Sequence, residues 1–489
     1  MGQAGGPSRV VPTIAASVVL LATLLAGCGG PYAGDLDQGA GQTRTPPPPD
    51  ARFVFKAGSD QLLPTDNLPV RDALYKTTGF PGAEPNIGFT KSGAAFVSAY
   101  DSTIRSTDLR TWKEVYEFAP ILGEGGQETG DPMLWVDTVT DTVYASHMFP
   151  STVCLAVAWS ADEGETWTKN EASCTLPGLD HQKFMSAVPG PLAPPIAGQE
   201  HPTVLYQCYQ RVADLPADQG RQTTGTTHCN MSYDGGVSWP AETLSAFTAP
   251  PLSCGGINGH PAAAADGTVF VPLSLGCDGL YVTVSLDSGL TWTLRPGVTS
   301  VGGTSIDPDL TFDAAGNLYA LWAGRDHLTY LARSSDMGLT WAGPWRVSPP
   351  HITSTVFQVA SAGAEGRLAM AFLGTDDSSE EPSFVGDDTI WHMYIATTED
   401  GTADAPTFDV VQVTPDRDAV QVGCVWMYGG GNPCRNMLDF MDSAVRPTDG
   451  TFAVAFTKGC SGGCTDFSDK SSNTAVAWLP DWSLYGGAQ

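Results

Sequence analysis

The sequence predicts an all-β chain folded as a β-propeller of four-stranded antiparallel blades, seven in number with six as the alternative. Three observations predict it. A short motif, Ser-x-Asp-x-Gly-x-Thr/Ser-Trp, recurs at Ser160–Trp167, Ser232–Trp239, Ser285–Trp292 and Ser334–Trp341, with a shorter copy lacking the glycine at Ser106–Trp112. Its aspartates, Asp108, Asp162, Asp234, Asp287 and Asp336, are about 50 to 70 residues apart, room for four short strands and their turns. No long stretch carries a helical period, while 55 Gly, 37 Pro and 13 Trp among 489 residues suit many tight turns and aromatic blade cores.

Turn chemistry accounts for every position of the motif. The aspartate accepts hydrogen bonds from nearby backbone N–H groups, and the glycine two residues on takes positive φ without steric cost. The Trp begins the next strand with a large apolar surface to bury between sheets. Upstream of each copy sits a hairpin of apolar strand, turn and alternating strand, best seen from Asp307-Pro308 through Gly316 to Trp322. Equivalents start at Glu84-Pro85, Asp131-Pro132 and His260-Pro261, and Asp180–Met185 opens another. Units from Phe357 and from Leu438 keep this hairpin without a clean motif, and Ala396–Gly401 is a degenerate sixth copy. If the first or last unit supplies only a closing strand, six blades result.

The repeated motif resembles the Asp-box of the sialidase-like (BNR-repeat) β-propellers, and the similarity runs through nearly the whole of residues 51–489. It is nearest to uncharacterised sialidase-like proteins secreted by bacteria, through Phe357-Gln358-Val359-Ala360 to Gly366–Phe372 and the paired-cysteine loop Cys424 to Phe440. In such families the box lies at the blade periphery, away from the active site. Sialidases of the family need an arginine triad, a Tyr nucleophile activated by Glu, and an Asp acid/base. Their Arg-Ile-Pro signature belongs in the first blade, where this chain has Glu84-Pro85-Asn86-Ile87. Arg325 and Arg435 alone fall on plausible mouth-side loops. The resemblance therefore implies the fold and disfavours a conventional exo-sialidase.

The amino terminus reads as a targeting segment. Arg9 precedes an apolar run over 10–26, and Leu25-Ala26-Gly27-Cys28 resembles a bacterial lipobox, which implies cleavage after 27 and lipidation of Cys28. The alternative is a short membrane anchor, although Pro12 interrupts it. Residues 28–50, ending in four prolines, form a stalk. These features place the domain outside the cytoplasm on the bacterial cell membrane, touching it through the lipid alone. The other ten cysteines fall into neighbouring pairs, Cys154 and Cys174, Cys208 and Cys229, Cys254 and Cys277, Cys424 and Cys434, and Cys460 and Cys464. The first three spacings fit cross-strand disulfides within a hairpin or blade. Connectivity is not fixed by spacing, and a zinc site, the rival reading, lacks paired C-x2-C elements.

A formal net charge of −29 disfavours nucleic acid and anionic polysaccharide as partners. In a propeller the innermost strands converge on one channel mouth. Here their starts carry Glu84, Asp131, Asp180, His181, His260, Asp307, Asp309 and Asp439, with Arg325 and Arg435 on neighbouring loops. Convergent carboxylates and imidazoles at a concave site are candidate ligand-binding groups; the alternative is that Asp-Pro and His-Pro merely turn the chain. Arg435 and Asp439 are expected to pair. The carboxylate ring is expected to repel an acidic sugar, so the expected partner is a neutral or amine-bearing carbohydrate or small cell-envelope ligand, bound by a monomer. A glycoside hydrolase using Glu84 or Asp307 as acid and Asp131 as base is the alternative; no catalytic residue, metal or cofactor is assigned.

Overall fold

The computed structural model describes residues 52–486 except 66–67, 70, 118–130, 150–153, 175–178, 196–198, 200, 212–225, 241–243, 248–256, 275–276, 304–305, 429–431 and 461–469. The segments expected to be a leader and a stalk, with Cys28, lie outside the described residues, as do Cys254 and Cys464. Among the described residues no helix is long and apolar enough to cross a membrane.

The strands form seven antiparallel sheets, each one blade. Blade one holds β3 (Ile87–Phe89), β4 (Ala95–Ala99), β5 (Ser102–Ser106) and β6 (Lys113–Glu117). Blade two holds β7 (Pro132–Asp137), β8 (Thr142–Phe149), β9 (Cys154–Ser160) and β10 (Thr168–Cys174). Blade three runs β11 (Leu179–Ala187), β12 (Val204–Arg211), β13 (Thr226–Ser232) and β14 (Leu244–Ser245). Blade four runs β15 (Ala262–Ala263), β16 (Val269–Leu273), β17 (Leu280–Ser285) and β18 (Thr293–Val298). Blade five has β19 (Asp309–Phe312), β20 (Leu318–Ala323), β21 (Thr329–Ser334) and β22 (Ala342–Arg346).

The last two blades borrow from the amino-terminal end. Blade six, β23 (Ser354–Ala362), β24 (Leu368–Thr375), β25 (Ile390–Thr398) and β26 (Thr407–Gln412), gains β1 (Arg52–Lys56) outside β26, and β27 (Gln421–Val422) pairs with β25. Blade seven has only β28 (Asp442–Val445), β29 (Thr451–Cys460) and β30 (Lys470–Ser483) from the carboxy-terminal end, and β2 (Leu74–Pro81) completes it. Arg52 and Arg71 both bond Asp409, and Arg71 also reaches Glu399, fastening this segment to blade six. Seven blades are therefore present, and the ring closes by strand exchange between the two ends. The innermost strands β3, β7, β11, β15, β19, β23 and β28 neighbour one another in that order and return to β3.

Hydrophobic clusters lie between blades. Phe270, Leu280 and Val284 of blade four pack on Leu310, Leu318 and Trp322 of blade five, and Tyr319 and Leu321 pack on Met370 and Phe372 of blade six. Cys208 and Cys229 face each other across β12 and β13 and form a disulfide; Cys424 bonds Cys434. Cys277 and Cys460 each take part in a further disulfide, and Cys154 opposes Cys174 in the β9–β10 register.

The repeated turn has one geometry in its four full copies. In the last copy, Ser334 Oγ donates to Asp336 Oδ1 and accepts from Gly338 N, while Thr340 gives its amide to Oδ1 and its hydroxyl to Oδ2 of Asp336. The copies at Asp162, Asp234 and Asp287 match it bond for bond. The degenerate copy keeps part of this: Thr398 bonds Asp400, which accepts Thr407 N. Hydrogen bonds from Thr166 and Thr340 hold Asp162 and Asp336 down at about 2. A depressed carboxylate stabilises the fold above its unfolded pKa, and that contribution is lost as pH falls through about 2. Gly338 sits at φ 81°, and an added Cβ would meet nothing nearer than Leu318 at 3.8 Å. Gly338→Ala should therefore cost about 1–2 kcal/mol of unfolding free energy in urea, from backbone strain alone; an unchanged midpoint would contradict this turn geometry.

Candidate functional site

Among the described residues, adjacent blades share no strand ladder: a parallel bridge between His260 and Asp309 and scattered backbone bonds, such as Thr355 N to His327 O, cross between them, and side chains satisfy other inner-edge N–H groups. Asp442 Oδ2 accepts from Ile87 N at 3.1 Å, Asn86 Oδ1 from Leu134 N at 2.9 Å, and Asp309 Oδ2 from Ala360 N at 2.6 Å. In return, Gln182 donates to Asp131 O at 2.6 Å and Gln358 to Asp307 O at 2.7 Å. The two Gln bonds are equivalent, one linking blades three and two, the other blades six and five. Each glutamine follows a residue in left-handed backbone, His181 at φ 48° and Phe357 at φ 55°. The strand register shifts there, between Asp180 and Lys183 and between Val356 and Val359. These bulges re-aim the strand starts toward the axis. Leu438, at φ 57°, also takes left-handed backbone, immediately before Asp439.

The side chains so aimed form one buried ionic chain. Arg435 grips Asp439 through both terminal nitrogens at 2.5 Å and gives a third bond, 3.2 Å, to Tyr428 O. His181 Nε2 lies 3.3 Å from Asp439 Oδ2, and its Nδ1 3.9 Å from Asp307 Oδ2. Lys183 Nζ hydrogen-bonds Asp307 Oδ2 at 3.1 Å and lies at the same distance from Oδ1. It also stands 3.1 Å from the centre of the Phe440 ring. His260 packs edge-on to that ring and approaches Asp442 at 3.6 Å. Lys183, His181, Asp307, Asp439 and Glu84 are buried, whereas Asp131, Asp180, His260, Asp442 and Arg435 are partly open and form the rim.

Burial and neighbouring charge drive these groups apart. Burial, reinforced by Asp131 and Asp439, raises Glu84 well above the usual carboxylate range, favouring its neutral, hydrogen-donating form. Burial would also raise Asp439, but Arg435 and His181 overcome it and hold that carboxyl far down. Burial would lower His181; Asp180, Asp439 and Asp307 outweigh it and raise the imidazole. Burial raises Asp307 despite Lys183, raises Asp309 well above its ordinary value, and lifts Asp442 to about 7. Burial, with Lys183, pushes His260 well down.

The structure thus brings together Glu84, Asp131, Asp180, His181, Asp307, Arg435 and Asp439, with His260 beside them. Two corrections follow. Arg325 is not among them: it is exposed on the β20–β21 turn, its backbone N on Val301 O. The ring is also not a belt of uncompensated carboxylates, because Lys183 and Arg435 lie within it. Asp309 is bonded across the blade boundary. Sequence reasoning missed Lys183 and Asp442, and it overlooked Gln182. The available signal was Lys183 itself, one of only 24 basic Lys and Arg residues, at the start of an otherwise polar inner strand. The repeated turns lie at the opposite ends of the blades: Asp309 pairs with Leu321 near the β20–β21 turn, while Asp336 follows the far end of β21.

Among the described residues no group of three or more His, Cys, Asp or Glu is placed to hold a metal ion. His181 Nδ1, Gln182 Oε1 and His260 Nε2 are buried without a hydrogen-bond partner in the protein. Such groups in a native interior call for a ligand or solvent partner.

No protein-family model matches the chain, and no curated protein does. Solved structures of low identity do. A protein of unknown function from Dyadobacter fermentans is 15% identical over 82% of this chain and 94% of its own, with a TM-score of 0.44. The α-L-arabinanase of Penicillium chrysogenum is 13% identical over 76% and 99%, with a TM-score of 0.39. A Hadza microbial sialidase is 16% identical over 81% and 65%, with a TM-score of 0.38. These are distant likenesses and assign no chemistry to this chain.

Proposed function

We propose that the mouth of this sialidase-like propeller binds a neutral or amine-bearing saccharide, on a protein held outside the cytoplasm by a lipid on Cys28. The observation that carries this reading is the set of buried polar atoms at the axis that lack a hydrogen-bond partner in the protein, His181 Nδ1, Gln182 Oε1 and His260 Nε2, beside rim carboxylates and Arg435. A sugar hydroxyl both donates and accepts, and this site offers fixed partners of both kinds. Arg435 is occupied bidentately by Asp439 and is not free to clamp an acidic sugar. No second arginine joins it among the described residues of the mouth.

A hydrolytic reading has one specific support: Glu84 is pushed up and Asp439 down within the same pocket, the separation that acid and base roles require. Hydrolysis of a neutral glycan that is lost in Glu84→Gln would establish it.

A glycan array probed with the protein should show neutral and amino sugars retained over sialylated and uronic ones, and 4-methylumbelliferyl sialoside should release no sialic acid. Sialoside turnover that disappears in Arg435→Ala would overturn the proposal. For the tether, cells fed radioactive palmitate should label the wild-type chain and leave Cys28→Ala unlabelled; equal labelling would sink the lipid anchor.

A further inference from the structure

Two loops on the mouth face carry an aromatic cluster that the ionic chain does not use. One joins β24 to β25 and includes a 3-10 turn at Pro382–Phe384; the other runs from β27 to β28 and is cross-linked by Cys424–Cys434. Thr375, at the end of β24, pairs with Ser354 at the start of β23, so the first loop emerges on the same face as the strand starts. Phe384, Trp426 and Tyr428 meet there. Phe384 stands edge-on to Trp426 at 6.1 Å and tilted to Tyr428 at 6.0 Å, and Trp426 stands edge-on to Tyr428 at 5.4 Å. Phe384 is 58% exposed, an unusual position for a large ring in a loop otherwise rich in carboxylates.

The cluster is held rigidly. Val425 N bonds Pro382 O, Met427 N bonds Ser383 Oγ, Trp426 N bonds Cys434 O, and the Tyr428 hydroxyl donates to Glu381. It is also continuous with the mouth, because Tyr428 O accepts from Arg435, whose other bonds hold Asp439.

We propose that Phe384, Trp426 and Tyr428 form a stacking platform for an uncharged pyranose ring, one sugar unit beyond the ring held at the mouth. This rests on the saccharide reading above and adds a second subsite to it. The negative faces of aromatic rings attract the weakly positive C–H face of a pyranose while covering its apolar surface. Other occupants fit less well. The three rings touch one another, leaving no gap for an enclosed quaternary ammonium. One exposed ring supplies far less than the ~800 Å² per partner that a stable protein interface buries. Exposed Asp376, Asp377, Glu380, Asp387 and Asp388 on the same loop repel anionic sugars and anionic lipid surfaces.

The test is titration of the full chain with mannotetraose, cellotetraose and chitotetraose, and with the corresponding methyl monosaccharides, followed by tryptophan fluorescence and calorimetry. At least one tetrasaccharide should bind with a blue shift in tryptophan emission. Phe384→Ala should weaken that tetrasaccharide about tenfold, leave its monosaccharide unchanged, and leave the melting temperature unchanged because the ring is exposed. Unchanged tetrasaccharide affinity in Phe384→Ala, with binding abolished in Asp131→Asn, would overturn the platform and keep the mouth. Equal loss of mono- and tetrasaccharide would also overturn the platform, by showing a merely structural role. Failure of the wild type to bind any of these sugars would overturn both readings.

Discussion

The absence of a continuous ladder between blades is the constraint on which the rest of this structure depends. Seven sheets meet edge to edge around an axis, and their innermost strands have inner-edge N–H and C=O groups that no neighbouring strand pairs in register. An unpaired buried backbone group costs about 1–3 kcal/mol. Among the described residues a few backbone bonds cross, such as Thr355 N to His327 O, and side chains answer elsewhere, carboxylate or amide oxygens of one blade accepting from the next and glutamines donating back. Polar residues at the strand starts are therefore required before any ligand is considered, and the binding chemistry is built from the surplus.

That surplus carries charge of both signs. Asp307 and Asp439 stand on the two nitrogens of one imidazole, with Lys183 beyond the first and Arg435 beyond the second. Each buried ion has a counter-ion, so the interior tolerates them. The arrangement also fixes the rim: Asp131 is held through its carbonyl by Gln182, and Arg435 through Asp439 and the Tyr428 carbonyl. Rigid, mutually neutralised donors and acceptors suit a ligand of hydroxyl groups better than one bearing a carboxylate.

What the sequence made legible was local. The turn at Asp336 is written in consecutive residues, Ser334 to Thr340, so its hydrogen bonds and the bladed architecture follow from the repeat, while the choice of seven blades over six needed the structure. The Cys208–Cys229 bond was readable for the same reason, since one hairpin brings the two together. The exchange of β1 and β2 into blades six and seven was not, because Tyr75 pairs with Ala477 across almost the whole chain and no local signal marks the partner. At the mouth, the aspartates after which prolines follow were visible as strand starts. The charge balance was hidden because Lys183 is aimed inward by a bulge at His181, a left-handed histidine that no turn motif announces. Arg325 differs in the opposite way: its turn lies on the mouth face, yet the residue is exposed and is not part of the buried ionic chain.

The central claim, that the mouth is a compensated ionic chain, is tested most directly by comparing unfolding of Lys183→Met with that of Lys183→Met/Asp307→Asn. Removing the lysine alone leaves Asp307 buried against an uncompensated field and should cost about 3–5 kcal/mol, most of which the second substitution restores by removing the stranded charge. Losses that simply add, with the double variant less stable than Lys183→Met, would contradict it.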